Sequence, residues 1–139
     1  MALRGTGRSP ANDSGESWTR AVDRMNRAVH RYHEQVAMIP DRRLRNDLLH
    51  IGERLDSSMI DIVAASQRAE VRTGQDGVVL RAVGRAATTT AHATEAALMA
   101  ADALRRQQQD DVARCLDTVR ALAGTVRELA DACRPGHPA

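Results

Sequence analysis

The stretch PDRRLRNDLLHIGERLDSSMIDI, residues 40–62, contains the pattern that decides the fold class. Its apolar residues recur at steps of four and three, which is the repeat of one face of an α-helix. The residues on this face are Leu44, Leu48, Ile51, Leu55, Met59 and Ile62. Pro40 marks a boundary, because proline ends a preceding helix and is tolerated in the first turn of the next. The stretch therefore predicts a long amphipathic helix that starts just after Pro40.

Three further helices are predicted around this one. Before this helix, apolar residues recur with the same spacing from Trp18 to Val36. After a glycine-containing break at Thr73–Gly77, an alanine-rich stretch and a final amphipathic stretch follow. The four predicted helices cover residues 17–38, 41–72, 77–107 and 110–133. No strand-like alternation of apolar and polar residues occurs in the sequence.

The chain is predicted to form one all-α domain, an antiparallel up-down-up-down four-helix bundle. Its 139 residues have the usual size of a single domain, and helices joined by short connections pack antiparallel. Phe is absent, so the core must consist mainly of aliphatic residues and alanine. The bundle is assigned to residues 16–134, with a flexible tail at 1–15 and a short tail at 135–139.

The charge and hydropathy of the chain argue against some classes of protein. The formal net charge is +2 at pH 7, well below the excess typical of dedicated nucleic-acid binders. The first residues contain no apolar run like that of a signal peptide, and no stretch is long and apolar enough to span a membrane. We therefore expect a cytoplasmic protein with no membrane partner.

Histidine and carboxylate pairs raise the question of a metal site. The pairs His50-x-x-Glu53 and His92-x-x-Glu95 resemble, in reversed order, the Glu-x-x-His pairs of di-iron bundles. On helical wheels these side chains point sideways or outward from the apolar stripes, whereas metal ligands must converge. Nucleophile, haem-attachment and phosphate-loop motifs are not recognised either. We therefore expect no catalytic residues, no cofactor and no metal.

Arginine is the most informative residue type in the chain. All 20 basic residues are Arg, and seven of them lie within residues 16–45, where four acidic residues leave a net charge of +3 (7 − 4). Four of the seven repeat on the face of the first helix opposite its apolar stripe, and three follow the Pro40 turn. The seven are Arg20, Arg24, Arg27, Arg31, Arg42, Arg43 and Arg45.

Two interpretations of these arginines are open. They can form a surface that faces the phosphates of a nucleic acid or the carboxylates of an acidic partner. They can also belong to an ordinary solvated helix face, partly neutralised by the (i, i+4) pairs Glu16–Arg20 and Asp23–Arg27. Aromatic residues for base stacking are absent from this face, so nucleic-acid binding through it would be independent of base sequence.

A second candidate surface is predicted at the Thr73–Gly77 end of the bundle. Helices 2 and 3 are expected to be longer than helices 1 and 4 and to project beyond them there. Uncovered apolar surface of this kind usually marks a contact site, unless the N-terminal tail folds over it. We expect self-association through a patch of five residues, namely Val71, Val78, Val79, Leu80 and Val83.

The layout of the chain from Tyr32 onward also resembles a known family. An Ile39-Pro40 turn is followed by the charged stretch Asp41-Arg42-Arg43, the series from Leu44 to Leu55, a break near Gly74 and two further helices. This layout resembles small bacterial four-helix bundle proteins, the accessory proteins of diversity-generating retroelements and their relatives encoded within ribosomal-RNA intervening sequences. The resemblance implies a basic bundle surface, often in a ring-like oligomer, that contacts nucleic acid and a partner enzyme. The chain departs from the family in being only mildly basic and in lacking aromatics in its third and fourth helices.

The sequence therefore predicts a non-enzymatic interaction protein. It is expected to act as an adaptor, regulator or assembly subunit that associates with itself and with another protein. The alternative is an accessory protein that binds nucleic acid without base specificity through the arginines of the first helix. A metal or cofactor-binding bundle is the third hypothesis.

Overall fold

The protein is an all-α bundle of four long helices. The computed structural model describes the backbone of residues 10–71 and 76–134 and the side chains of residues 18–68 and 77–134. The helices are α1 (Pro10–Ala37), α2 (Arg42–Val71), α3 (Asp76–Arg105) and α4 (Gln109–Ala132). No strand occurs in these ranges, so the predicted fold class is confirmed. None of these helices combines the length and apolar character that crossing a bilayer requires.

The start of α1 corrects the predicted boundary of the N-terminal tail. The helix begins at Pro10, so residues 10–15, which were assigned to the tail, are helical. Proline suits the first turn because its missing amide hydrogen has no partner there in any helix. The other helix ends differ from the predicted ones by at most two residues. Residues 1–9, 72–75 and 135–139, which include the rest of both predicted tails, lie outside the described residues.

The helices form a ring in the order α1–α2–α4–α3. Contacts join α1 to α2 and α3, and join α4 to the same two helices, while α2 and α3 also touch across the ring. Within the described residues, α1 and α4 make no contact. Chain direction alternates from each helix to the next, as predicted. In the ring, α3 is next to α1, and these two helices are separated by one helix along the chain. They therefore run parallel, and so do α2 and α4.

The composition of α3 explains how it touches all three other helices. Its buried positions are almost all small residues. Because the distance between two helix axes depends on the side chains at their contact, small residues let the neighbouring helices lie close to α3. The buried alanines of α3 are Ala82, Ala86, Ala87, Ala93, Ala96, Ala97, Ala100 and Ala103. The larger core residues come from the other helices, with Met25, Tyr32, Leu48, Leu55 and Ile62 almost completely enclosed.

The contact between α1 and α2 depends on a glycine. The buried Tyr32 hydroxyl donates a hydrogen bond to the backbone oxygen of Leu48 at 2.7 Å, and burial raises the pKa of Tyr32. The neighbouring His33 Nε2 lies 2.8 Å from Asp56 Oδ1. Both rings lie over Gly52, where a Cβ atom would be only 2.8 Å from His33 Cε1 and 3.1 Å from Tyr32 Cε1. A side chain at position 52 would therefore press on both rings and force them to shift.

Among the described side chains, two buried hydroxyls have no hydrogen-bond partner. They belong to Ser58 of α2 and Thr90 of α3, both fully buried. By contrast, the buried Thr94 hydroxyl donates to the backbone oxygen of Thr90 at 3.2 Å. An unsatisfied buried hydroxyl costs about 1–3 kcal/mol of stability.

Substitution of Gly52 tests the close contact of α1 with α2. Gly52→Ala should lower the free energy of unfolding by about 1 kcal/mol or more, because overpacking outweighs the better helix propensity of alanine. The matched control is Gly124→Ala in α4, where a Cβ atom would meet nothing within 4 Å. That change should raise stability by up to about 1 kcal/mol. Urea denaturation of both variants measures the difference, and a stabilised Gly52→Ala protein would contradict this account of the contact.

Removal of the Thr90 hydroxyl should stabilise the protein. Thr90→Val keeps the shape of the side chain and should raise the free energy of unfolding by about 1 kcal/mol, since no hydrogen bond is lost. Thr94→Val is the control, and it should leave stability unchanged or lower it. Equal stabilisation by both substitutions in thermal melts would show that the pairing of the hydroxyl is irrelevant.

Candidate partner-binding groove

A long groove runs along the outer seam between α1 and α3. Because these helices are parallel neighbours, successive turns of α1 face successive turns of α3. Three adjoining depressions of about 460, 680 and 580 Å³ follow one another from the start of the seam to its end. The first two share Arg24, Thr88 and His92, and therefore form one continuous basic section.

Five exposed arginines line the basic section, and we call them the Arg cluster. They are Arg24, Arg27 and Arg31 of α1 and Arg81 and Arg85 of α3. Small residues such as Ala28, Ala87 and Ala91 line the same section. A Cβ atom at Gly84 would lie 3.4 Å from Arg24 Nη2, so the Arg24 guanidinium reaches across to α3 there. Over the described residues, none of the five forms an ion pair with a carboxylate.

The arginines at the end of α3 and along α4 are arranged differently. Each lies three or four residues from an Asp of its own helix or helix end and pairs with it. The pairs are Arg105–Asp102 (2.6 Å), Arg106–Asp102 (3.1 Å), Arg114–Asp111 (2.5 Å), Arg120–Asp117 (3.2 Å), Arg127–Asp131 (3.0 Å) and Arg134–Asp131 (3.3 Å). Arg127 also pairs with Asp61 of α2 at 2.6 Å, and this contact raises its pKa. The Arg cluster therefore differs from α4 in having no ion pairs, a feature that the described part of α2 shares at Arg42, Arg43, Arg54 and Arg68.

The sequence identified only part of this cluster. The three α1 members were predicted, but the expected pairing of Arg27 with Asp23 does not occur in the described structure. Arg20 lies one turn before Arg24, and it is not counted because it has an interaction partner. Arg81 and Arg85 were missed. Their (i, i+4) spacing gives them one helix face, but only the position of α3 beside α1 places that face in the groove.

The three arginines after the Pro40 turn do not belong to the groove. Arg42 and Arg43 are exposed at the start of α2, near the end of α1 that is farther from Arg24. Arg45 has a structural role, since its Nη1 donates hydrogen bonds to the backbone oxygens of Ile39 at 2.7 Å and Pro40 at 3.3 Å. The prediction assigned all seven arginines to a partner or nucleic-acid surface, and the structure separates these three from the members on α1. The reason is that the turn reverses the chain and that Arg45 binds the backbone oxygens of the turn itself, at Ile39 and Pro40.

The predicted self-association patch is also corrected. Val79 and Val83 are 3% and 0% exposed and belong to the same buried cluster as Trp18. Val78 is exposed and Leu80 partly so, while the side chain of Val71 lies outside the described residues. The prediction assumed a short first helix, but α1 has 28 residues against 30 in α2 and α3. Trp18 and Met25 of α1 lie in the same buried cluster as Val79 and Val83, so these two valines are covered within the monomer.

The far end of the groove is apolar, and we call it the apolar socket. Met38 and Leu98 stand on opposite sides of it, with 76% and 37% of their surfaces exposed. The apolar lining continues with Ile39, Pro40, Ala101 and Leu104, and the polar residues Gln35, Asp41 and Arg105 complete it. Glu34 and Glu95 line the groove between this socket and the Arg cluster. One groove thus changes from basic to apolar along its length.

The histidines do not assemble a metal site in the described part of the chain. His33 contacts Asp56, His50 lies 3.7 Å from Glu53, and His30 lies 3.6 Å from Glu34. These pairs lie on separate surfaces. No group of three His, Cys, Asp or Glu side chains comes together among the described residues.

Comparison with known proteins adds no assignment. The chain matches no protein-family model, no curated protein and no solved structure. The resemblance to accessory proteins of retroelements and of ribosomal-RNA intervening sequences therefore stays a prediction.

Multivalent anions should bind the Arg cluster and stabilise the fold. At equal ionic strength, sulfate should raise the Tm of the wild-type protein more than chloride does, because a ligand of the native state alone stabilises it. Sulfate also stabilises proteins in general, so the comparison needs variants. The added shift should shrink in Arg24→Gln/Arg85→Gln and persist in Arg114→Gln/Arg120→Gln on α4. An equal response of all three proteins would rule out anion binding at the cluster.

Proposed function

We propose that the protein is a non-enzymatic interaction protein that binds an acidic segment of a partner protein in the α1/α3 groove. The observation that carries the proposal is the Arg cluster, five guanidinium groups along one seam that form no ion pair with any described residue. An adaptor, regulator or assembly subunit acting in the cytoplasm fits this chemistry. The predicted self-association patch plays no part in the proposal, because Val79 and Val83 are buried.

The electrostatics of the groove favour a ligand with carboxylates. Like charges held on facing turns of neighbouring helices repel one another, and a bound anion removes that repulsion. Arginine is suited to this role because its planar guanidinium can bind a carboxylate with two parallel hydrogen bonds. The long seam and its small lining residues provide space for a helix, in the manner of other helix-in-groove complexes.

The composition of the groove favours a protein over a nucleic acid as the partner. A phosphate backbone carries uniform negative charge and favours a surface that stays basic along its path. Here the basic section ends at Glu34 and Glu95 and is followed by the apolar socket. The aromatic residues Trp18 and Tyr32 are buried, so neither is available for stacking with bases. Binding of nucleic acid is therefore the alternative that the experiment must distinguish.

Charge reversal in the groove tests the proposal. A fluorescently labelled oligoglutamate peptide should bind the wild-type protein, and Arg24→Glu/Arg27→Glu should weaken binding at least about tenfold, or about 1.4 kcal/mol. Helicity and Tm should change little, because both side chains are exposed. Fluorescence anisotropy measures the affinity.

The control reverses two arginines on another surface. Arg114→Glu/Arg120→Glu changes the net charge by the same amount but lies on α4, and it should leave binding close to the wild-type value. Equal loss in both variants would mean that only total charge matters. Tighter, salt-dependent binding of DNA or RNA oligonucleotides of the same charge would favour the nucleic-acid alternative.

A further inference from the structure

We infer that the partner segment is an amphipathic helix with acidic residues at one end and a large apolar anchor about three turns away, which occupies the apolar socket. This inference rests on the proposed function and specifies its ligand. It assigns a role to the apolar socket, which the binding of carboxylates by the Arg cluster does not explain.

The socket has the features of a site for an apolar side chain. Met38 of the α1–α2 turn and Leu98 of α3 are large apolar residues exposed on facing walls of one depression. Its volume of about 580 Å³ lies in the range of pockets that enclose small ligands. Exposed apolar residues scattered singly need no explanation, but a pair that borders a concave apolar site offers a place for a buried anchor.

The geometry sets the distance between the two parts of the ligand. Arg27 and Met38 are 11 residues apart, which corresponds to about 16 Å of helix rise. On the other wall, Arg85 and Leu98 are 13 residues apart, or about 20 Å. A ligand helix lying along the seam would therefore place its anchor 11 to 13 residues from its acidic block, and a spacing of 11 residues, about three turns, puts both on one face of that helix.

Charge complementarity argues against a second copy of this chain as the occupant. Four of the six acidic residues of α4 and of the end of α3 are already paired with arginines of the same chain. The carboxylates held in this way are Asp102, Asp111, Asp117 and Asp131. Binding them to the Arg cluster would require breaking those pairs, whereas a partner helix with unpaired carboxylates has no such cost.

Three peptides of matched length separate the contribution of the acidic block to the affinity from that of the apolar anchor. The first carries an acidic block followed by two leucines 11 residues away, and the second has the same composition with the leucines 4 residues away. The third has serine in place of both leucines. Wild-type protein should bind the first about tenfold more tightly than either of the others, since burial of even one leucine provides that much affinity. Anisotropy titrations at equal salt concentration measure the three affinities.

Variants of the socket show where the leucines bind. In Met38→Ser/Leu98→Ser the tenfold preference should disappear while binding of the serine peptide stays unchanged. Met38→Ser alone, at a position 76% exposed, should reduce the preference without affecting the fold. Met99→Ser, 61% exposed and lining a separate depression between α3 and α4, is the matched control and should retain it.

The outcomes distinguish this inference from the proposed function. Equal affinity for all three peptides, or a preference that survives in Met38→Ser/Leu98→Ser, would overturn the inference alone. Binding of the serine peptide that is unaffected by Arg24→Glu/Arg27→Glu would overturn the proposed function. Loss of the spacing preference in the Met99→Ser control would also contradict the assignment of the socket.

Discussion

The alanines of α3 set the arrangement on which the rest of the structure depends. A helix whose buried positions are mostly alanine lets its neighbours approach closely, and α3 accordingly contacts α1, α2 and α4. This position makes α1 and α3 parallel neighbours, although α2 separates them in the sequence. The groove exists because of that arrangement, since arginines on two different helices then face a single seam.

The charge distribution follows from the same arrangement. On α4, arginines and aspartates alternate along one helix and neutralise each other locally. On α1 and α3 the arginines meet across the seam, where no described carboxylate pairs with them. The fold tolerates this repulsion because the guanidinium groups are exposed to solvent, where water and salt screen it. A ligand with carboxylates gains from the same arrangement, since it replaces that screening with direct hydrogen bonds.

The helices could be predicted from the sequence, whereas the groove could not. The steps of four and three around Leu48 and Tyr32 specify helix faces, and the structure has four helices as predicted. Periodicity describes each helix separately and does not say which helices become neighbours. Arg81 and Arg85 were missed for that reason, and Val79 was placed on the surface although it lies in the same buried cluster as Trp18 of α1. The polar stretch after Pro10 lacks an apolar stripe, so its helical conformation left no periodic signal.

The central claim is that the α1/α3 groove binds an acidic, amphipathic helix, and the most direct test is to map the binding site by NMR. The measurement follows backbone amide and arginine side-chain signals of the labelled protein during titration with the peptide whose leucines are 11 residues from its acidic block. The account predicts that the largest shifts cluster along residues 24–38 of α1 and its turn and residues 81–105 of α3. Shifts concentrated on the outer faces of α2 and α4, or spread evenly over all exposed arginines, would contradict it.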